Sequence, residues 1–275
     1  VAVRAVLAAG GQFVPIDPAA PADRVEYITA TADVSVIVTG PDAPATVAGA
    51  AIESVVAVDC SGTVDPATPL IGVADRRGRV HAETAAYTIF TSGSTGRPKG
   101  VTVSHGALLT EVIADIQYYR LDESDIFLQT LEYTFDPAVL EILRPVTTGA
   151  PLVLLAPGAH RDPRAIETAV RGRGVTTMMI VPPMLAVMVE VTADDRSWAA
   201  TLRRINTGGD TLPPAVAAAV ADAWPWARLY NQYGPTETTI FSTIDQYDPA
   251  VPQVTIGRPL AGIRAYVLDE RLHPA

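Results

Sequence analysis

The feature that most constrains the fold is an alternation of short apolar runs with longer amphipathic ones. Strand-like runs lie at residues 12–17, 34–39, 87–92, 125–130, 150–156, 175–181, 202–209 and 228–234. Helix-like runs lie at residues 1–11, 21–32, 104–119, 135–149, 163–174, 182–191 and 213–224. This alternation predicts a parallel α/β fold. The strand runs are apolar throughout rather than at every second residue, which is typical of sheets covered on both faces.

Composition excludes several classes of protein. With 48% hydrophobic and 18% charged residues, the chain is globular rather than disordered. Its most apolar stretch, residues 175–191, contains Pro182 and Pro183, so no membrane span is expected. The single cysteine, Cys60, excludes a disulfide framework within the chain and indicates a cytoplasmic location. The formal net charge of −10 disfavours non-specific binding to nucleic acid or to anionic membranes.

A loop rich in Gly, Ser and Thr, TSGSTGRPKG at residues 91–100, is the clearest candidate for chemistry. We predict that it follows a strand and leads into the helix at 104–119, where α/β folds bind ligands. Its glycines let backbone N–H groups converge on an anion, and Lys99 adds a point charge suited to phosphate. It is not a Walker A loop, because Pro98 and Gly100 stand where that pattern needs Gly and Ser/Thr. The alternative interpretation is a flexible surface loop, and the position of the loop and Lys99 argue against it.

The helix after this loop has a predicted cap and a predicted core face. Ser104 is placed to act as its N-cap. Leu108, Val112 and Ile116 recur at i, i+4 and i+8, which predicts one buried stripe.

Two motifs carry a resemblance to a known family. TSGSTGRPKG closely resembles the phosphate loop of adenylate-forming enzymes, and NQYGPTE at residues 231–237 resembles their second signature. Residues 12–28 and 256–269 are similar to flanking segments of one branch, the amino-acid adenylation domains of nonribosomal peptide synthetases. The resemblance runs over nearly the whole chain.

The resemblance implies the large N-terminal lobe of the acyl-CoA synthetase/luciferase-like fold. We expect a first α/β subdomain over residues 1–124, a second stacked on it over 125–250, and the start of a β-barrel over 251–275. The family's ribose-binding Asp, its hinge and its small C-terminal lobe have no equivalent in this sequence. We therefore expect these 275 residues to be inactive, or nearly so, by themselves.

The implied reaction has two steps. ATP and a carboxylic acid form an acyl-adenylate and pyrophosphate, and the acyl group then passes to a thiol. The implied ligands are ATP, Mg²⁺ and an amino acid. The implied partner is a peptidyl carrier protein with its phosphopantetheine, and the resemblance leaves a small activator protein open.

The same resemblance assigns residues to the nucleotide. Lys99 and Thr95 contact the phosphates, and Glu237 helps to bind Mg²⁺, a hard cation suited to carboxylate oxygen. Tyr233 stacks on adenine, opposite the backbone of residues 208–210. Without the motif around them, Glu237 would be interpreted as a solvated glutamate and Tyr233 as an aromatic residue of the core. The nucleotide-binding set is Thr91, Ser92, Gly93, Ser94, Thr95, Gly96, Lys99, Gly208, Gly209, Asp210, Asn231, Tyr233, Gly234 and Thr236.

Asp136 is the most informative single residue. Followed by Pro137 at a predicted helix start, it reads as an N-cap with Pro at the first helical position. The resemblance adds a second role that is compatible with the first: pairing with the α-ammonium group of an amino acid. A buried carboxylate without such a partner would be costly.

The family's pocket positions fall mostly on uncharged residues. Asp136 is the only charged one, which predicts an amino acid with a neutral side chain. Asn206 and Gln232 are suited to a polar group, whereas the apolar members favour apolar bulk. Phe135 either lines the approach or simply packs, and Pro137 departs from the family's pattern. The other members are Leu140, Ile180, Gly208, Ile240 and Phe241.

Two other functions remain open from the sequence. The first is an acyl- or aryl-CoA ligase of the same superfamily, in which Asp136 would be only a helix cap. The second is a non-catalytic remnant that binds nucleotide or a partner protein, although no position of either signature looks broken.

Overall fold

The computed structural model describes residues 1–41, 52–58, 72–76, 78–92, 97–251 and 253–275. Within them the chain forms two compact units, Val1–Leu109 and Thr110–Ala275. No helix in the described ranges is long and apolar enough to cross a membrane.

The described residues of the first unit form two small sheets and two α-helices, and a third α-helix begins near its end. One sheet pairs β1 with β2 in parallel, and the other pairs β3 with β4 antiparallel. The elements are α1 (Ala2–Ala8), α2 (Ala22–Thr31), β1 (Val36–Thr39), β2 (Ser54–Ala57), β3 (Ala85–Thr91) and β4 (Lys99–Ser104). Helix α3 (His105–Tyr119) begins here and continues into the second unit.

Two predictions for this unit are wrong. The loop at 91–100 joins the strands of a hairpin instead of leading directly into a helix, because residues 101–104 alternate apolar and polar side chains and form strand β4. Residues 12–17 form no strand, and Phe13 makes only an isolated bridge to Tyr87. Pro15 lies in this stretch and has no backbone N–H to pair with a neighbouring strand.

The predicted start of α3 is confirmed. The Ser104 hydroxyl accepts a hydrogen bond from the Ala107 backbone N–H at 3.2 Å. Leu108 and Val112 are buried as predicted, whereas Ile116 is only half-buried.

The second unit is built on one seven-stranded sheet in the order β11-β10-β9-β8-β7-β5-β6. Five strands are parallel, which confirms the predicted α/β fold, and β10 and β11 form an unpredicted antiparallel edge. Near the end of the chain, Leu268 and Pro274 form an isolated bridge. The strands are β5 (Phe127–Gln129), β6 (Leu152–Leu154), β7 (Thr177–Met179), β8 (Arg204–Gly208), β9 (Arg228–Tyr233), β10 (Thr243–Gln246) and β11 (Arg258–Pro259).

Four further helices complete this unit, each beginning at a proline: α4 (Pro137–Thr148), α5 (Pro163–Arg173), α6 (Pro182–Val191) and α7 (Pro214–Ala223). Proline suits the first helical position, where its missing N–H would have no helical partner. Each helix lies within a helix-like run of the sequence.

The two faces of this sheet differ in chemistry. Met178, Ile205 and Leu229, which are in register on β7, β8 and β9, belong to one apolar core with α5, α6 and α7. The next residue on each strand points to the opposite face. That face meets α3, because the rings of Tyr119 and Tyr230 lie 4.7 Å apart between centroids.

Candidate functional site

The loop of the first signature connects β3 to β4 at the turn end of their hairpin. Thr91 pairs with Lys99 across that end, and the Lys99 and Ser92 side chains are exposed. Gly93, Ser94, Thr95 and Gly96 lie outside the described residues. Gly100 forms part of strand β4.

The base of the loop is held from helix α2. The Tyr27 hydroxyl donates a hydrogen bond to the Pro98 carbonyl at 3.0 Å. The same ring packs edge-on against Phe90, with centroids 6.2 Å apart. The residue before Lys99 is thus tied down while the Lys99 ammonium stays in solvent.

Asp136 stands at the N-cap position of α4, but it does not behave as an ordinary cap. Its side chain makes no capping hydrogen bond, although the residue is only 3% exposed. Its Oδ2 atom has no partner among the described residues. The pKa of this carboxyl is raised to about 6. Burial is the main cause and the charge of Glu237 adds to it, whereas the hydrogen bond with the Thr236 hydroxyl opposes the rise.

A strained turn joins β9 and β10, and Thr236 and Glu237 in its first part act on the Asp136 carboxyl. Thr239 and Ile240 have φ angles of 69° and 62°, which are rare for residues other than glycine and are outliers for β-branched ones. Gly234 makes the turn possible, because a Cβ there would lie 2.3 Å from the Ile240 carbonyl oxygen. Strain of this kind concentrates at functional sites.

The predicted adenine platform lies at the ends of two neighbouring strands. The Tyr233 ring is half exposed, at 50%, at the end of β9. Gly209 has a φ of +82°, and a Cβ at this position would lie 2.8 Å from the Phe135 ring. This glycine therefore needs both its backbone conformation and its missing side chain. The Asn231 amide is already in use, since it donates to the Thr255 carbonyl at 2.8 Å.

Glu237 lies in the short turn Thr236–Thr238, and its side chain is exposed. Mg²⁺ in phosphate sites keeps several waters and takes one or two carboxylates. An exposed carboxylate next to the Asp136 carboxyl fits that requirement. No cluster of three or more metal-ligating side chains occurs in the part of the chain that the structure describes.

The predicted pocket residues are buried in the second unit. Each except Phe135, which is half-buried, is less than about a tenth exposed, including Pro137 and Leu140 on α4 and Ile240 and Phe241 before β10. Ile180 follows β7 and belongs to the apolar core with α5, α6 and α7, and its place in the pocket stays a prediction.

A group of buried charges beside this pocket was missed from the sequence. Arg144 on α4 makes a bidentate ion pair with Asp115 on α3, with both distances 2.6 Å and both side chains at most 2% exposed. Glu141 accepts hydrogen bonds from the backbone N–H groups of Thr130 and Leu131 at 3.1 Å each. Burial raises the pKa of Glu141 to about 7.

Glu111, one turn before Asp115, has no such partner. It is 2% exposed, and neither carboxyl oxygen has a partner at standard hydrogen-bond geometry within the described ranges. The pKa of Glu111 is raised to about 8, chiefly by burial. The charges of Asp115 and Asp136 add to the rise, whereas the Phe241 backbone amide and Arg144 oppose it. One signal could have identified both acids: they follow Leu108 and Val112 by three residues and so share the predicted buried stripe.

The whole chain, residues 1–275, matches the family of AMP-binding enzymes. Phosphinothricin tripeptide synthetase PhsB of Streptomyces viridochromogenes is 36% identical over 282 residues, covering 100% of this chain and 23% of that protein. Tyrocidine synthase 3 of Brevibacillus parabrevis is 34% identical over 277 residues, covering 98% of this chain and 4% of that protein. The chain thus spans less than a quarter of the length of these two curated relatives.

Solved structures of nonribosomal peptide synthetases share the fold. FmoA3 bound to alpha-methyl-L-serine-AMP has a TM-score of 0.83 at 29% identity, covering 99% of this chain and 30% of that chain. Holo-PA1221, which contains adenylation and PCP domains, has a TM-score of 0.82 at 25% identity, covering 99% of this chain and 45% of that chain. The resemblance that the two signatures predicted is confirmed, as is the adenylate-forming fold.

Proposed function

The chain belongs to the AMP-binding enzymes, and we propose that it carries the site where a neutral α-amino acid is activated as an aminoacyl-adenylate for nonribosomal peptide synthesis. The observation that carries this proposal is the unpartnered Oδ2 atom of Asp136, in a side chain that is 3% exposed. An ionised carboxylate is expensive to bury unless a cation or hydrogen-bond donors compensate it. The α-ammonium group of an amino acid supplies both.

The pKa of Asp136 fits this role. Burial raises the pKa of the Asp136 carboxyl to about 6, so this carboxyl is mostly but not fully ionised near neutral pH. An ammonium ion within hydrogen-bond distance favours the ionised form. Binding of the amino acid should therefore lower this pKa and fix the carboxylate in its charged state.

Three of the side chains proposed to hold the nucleotide and its metal, those of Lys99, Tyr233 and Glu237, are exposed. Lys99, which has no ion-pair partner among the described residues, would contact the phosphates with Thr95 as charge develops on the leaving pyrophosphate. Tyr233 would stack on adenine. Bound Mg²⁺ would add positive charge at the phosphate oxygens, and Glu237 would hold it.

The amino acid would then pass to the phosphopantetheine thiol of a peptidyl carrier protein. The structural likeness to holo-PA1221, which contains both adenylation and PCP domains, supports this partner. We expect the 275-residue chain by itself to catalyse little or no adenylation, and comparison of its turnover with that of the full-length protein would test this.

An acyl- or aryl-CoA ligase is the competing function. It would activate an acid without an amine, and the Asp136 carboxylate would then face a ligand with no cation. The absence of a capping hydrogen bond from Asp136 argues against this alternative, because capping is the structural role that a ligase would leave to it.

The test is ATP–pyrophosphate exchange by the full-length protein that carries these residues, with a panel of amino acids and their des-amino analogues. Asp136→Ala should lower amino-acid-dependent exchange by about 30-fold to several thousandfold, since truncating one partner of a buried charge pair costs about 2–5 kcal/mol. Asp248→Asn, an exposed aspartate on a turn, is the matched control and should exchange normally. Exchange with des-amino acids alone would assign the protein to the CoA ligases, and exchange with nothing would favour the non-catalytic remnant.

A further inference from the structure

Three buried polar side chains of the second unit lack a hydrogen-bond partner at standard geometry among the described residues. Glu111, Asn206 and Gln232 are 2%, 0% and 2% exposed. None of their six side-chain polar atoms has a hydrogen-bond partner at standard geometry in the part of the chain that the structure describes. Buried polar groups in native proteins are rarely left unsatisfied, and each exception calls for an explanation.

All three lie in the layer between the sheet and α3. Asn206 is in register with Tyr230, and Gln232 follows Tyr230 by two residues on β9, so the three share one face of the sheet. That face meets α3 at Tyr119. Glu111 lies on the same stripe of α3, two turns before Tyr119.

This layer is also where the proposed pocket lies. Glu111 is close enough to the Phe241 amide and to Asp136 for both to shift its pKa. Gln232 is in register with Gly208. The unpartnered groups thus lie in the layer that would receive the amino-acid side chain, if Asp136 holds the ammonium group.

The charges in the layer indicate which kind of group is missing. Asp115 already takes the Arg144 guanidinium, and the substrate ammonium group would compensate Asp136. Burial raises the pKa of Glu111 to about 8, so at neutral pH this carboxyl carries its proton. A protonated carboxyl both donates and accepts a hydrogen bond, as do the side-chain amides of Asn206 and Gln232 taken together.

We propose that Glu111 is a specificity-determining residue which, with Asn206 and Gln232, selects an amino acid whose neutral side chain both donates and accepts hydrogen bonds, such as a carboxamide or ureido group. This inference rests on the proposed function and narrows its substrate class. A site built to hydrogen-bond a substrate group rejects analogues that lack it, because its own polar groups are then left unpaired.

The experiment is ATP–pyrophosphate exchange by the full-length protein with four amino acids: glutamine, methionine, ornithine and, as the ureido member, citrulline. The wild-type protein should prefer glutamine or citrulline to methionine and to ornithine by on the order of 100-fold or more in kcat/KM. Preference for methionine would overturn the inference and imply that buried water satisfies the three side chains. Preference for ornithine would also overturn it, since Glu111 would then act as a charge.

Two substitutions at position 111 sharpen the test. Glu111→Gln keeps a neutral group that donates and accepts, and should retain the preferred substrate within about fivefold. Glu111→Leu removes that group and should lower kcat/KM for it by about tenfold or more while leaving methionine unchanged or improved. Glu190→Gln, on the exposed side of α6, is the control and should change neither substrate.

The outcomes separate this inference from the function on which it rests. Amino-acid-dependent exchange that Asp136→Ala abolishes, but that Glu111→Leu does not redirect, would overturn the role of Glu111 alone. Exchange with no amino acid would overturn the proposed function and this inference together. To show that a loss is not misfolding, thermal unfolding of Glu111→Leu should give a midpoint at or above the wild-type value, because an apolar side chain replaces an unpaired carboxyl.

Discussion

Two acidic residues one helical turn apart on α3 have opposite surroundings. Asp115 is held by both ends of the Arg144 guanidinium at 2.6 Å. Glu111 is equally buried and has no partner at standard geometry in the described ranges. The same contrast holds on α4, where Glu141 accepts two backbone hydrogen bonds while Oδ2 of Asp136 accepts none.

The difference separates acids that are compensated within the fold from acids that we propose to contact the substrate. A buried ion pair is costly to break because the remaining charge has no compensation. A buried acid without a partner at standard geometry is already in a costly state, which the Phe241 amide and Arg144 relieve only in part for Glu111 and the Thr236 hydroxyl only in part for Asp136. The paired acids should therefore control stability, and the unpaired ones should control binding and the pH dependence of stability.

Breaking the paired region should have the largest effect. Arg144→Met leaves Asp115 buried without a cation and should lower the free energy of unfolding by about 3–5 kcal/mol. The double variant Asp115→Leu with Arg144→Met should recover most of this loss, since no charge remains. Urea denaturation of the three proteins measures it. If Arg144→Met lowered the free energy of unfolding no more than the double variant does, the uncompensated charge of Asp115 would not be what destabilises the protein.

Substitution of Glu111 should change how stability depends on pH. Burial raises the folded-state pKa of Glu111 from 4.5 to about 8, so between these values the folded state holds a proton that the unfolded state has lost. Wild-type stability should therefore fall as pH rises through this window, by up to a few kcal/mol from this group. Glu111→Gln removes the titration.

Chemical denaturation at pH 5 and at pH 8.5 measures this second effect. Relative to wild type, Glu111→Gln should be more stable at the higher pH than at the lower one. The same advantage at both values would mean that Glu111 titrates normally and that its isolation has no energetic consequence.

The strained turn beside the unpaired acids should yield a smaller effect. Thr239 has a φ of 69°, which costs an L-residue other than glycine about 1–2 kcal/mol. Thr239→Gly should therefore raise the free energy of unfolding by about 1 kcal/mol after the entropy of the more flexible unfolded chain is subtracted. Thr168→Gly, in the middle of α5 with an exposed side chain, should lower it by a similar amount. If glycine changed the free energy of unfolding in the same direction at both positions, the backbone at Thr239 would not be strained.

An exposed ion pair should have the smallest effect of all. Arg171 contacts Glu167 at 3.1 Å and Asp195 at 2.7 Å, but it lies in solvent, where such pairs contribute little and salt screens them. Arg171→Ala should leave the unfolding midpoint almost unchanged, and any shift should disappear in 1 M salt. A loss comparable to that of Arg144→Met would show that burial is not what distinguishes the two arginines.

Much of the fold could be predicted because it depends on local patterns. The helical periods at 163–174 and 213–224 and the apolar runs at 175–181 and 202–209 each reflect which face of one element is buried. The errors arose where a pattern was short. The strand at Lys99–Ser104 was included in the loop and helix around it, and the antiparallel β10 is only four residues long.

The candidate site divides in the same way. The two signatures identified the family because their residues are contiguous, so their order is visible without a structure. The resemblance already implied a second role for Asp136 beside capping, and the structure adds support that the sequence could not, since its side chain is buried without a capping hydrogen bond.

By itself, the sequence determined the order of the five parallel strands and of the helices that connect them, the family, and the positions of the two signatures. Only the tertiary structure decided which buried acids are compensated. Arg144 follows Asp115 by 29 residues, and the packing of α4 against α3 brings it to Asp115 rather than to Glu111. Desolvation of an acid costs free energy only where packing removes the acid from water. Whether a compensating partner lies beside it there depends on how the layers pack together and not on any one segment of the sequence.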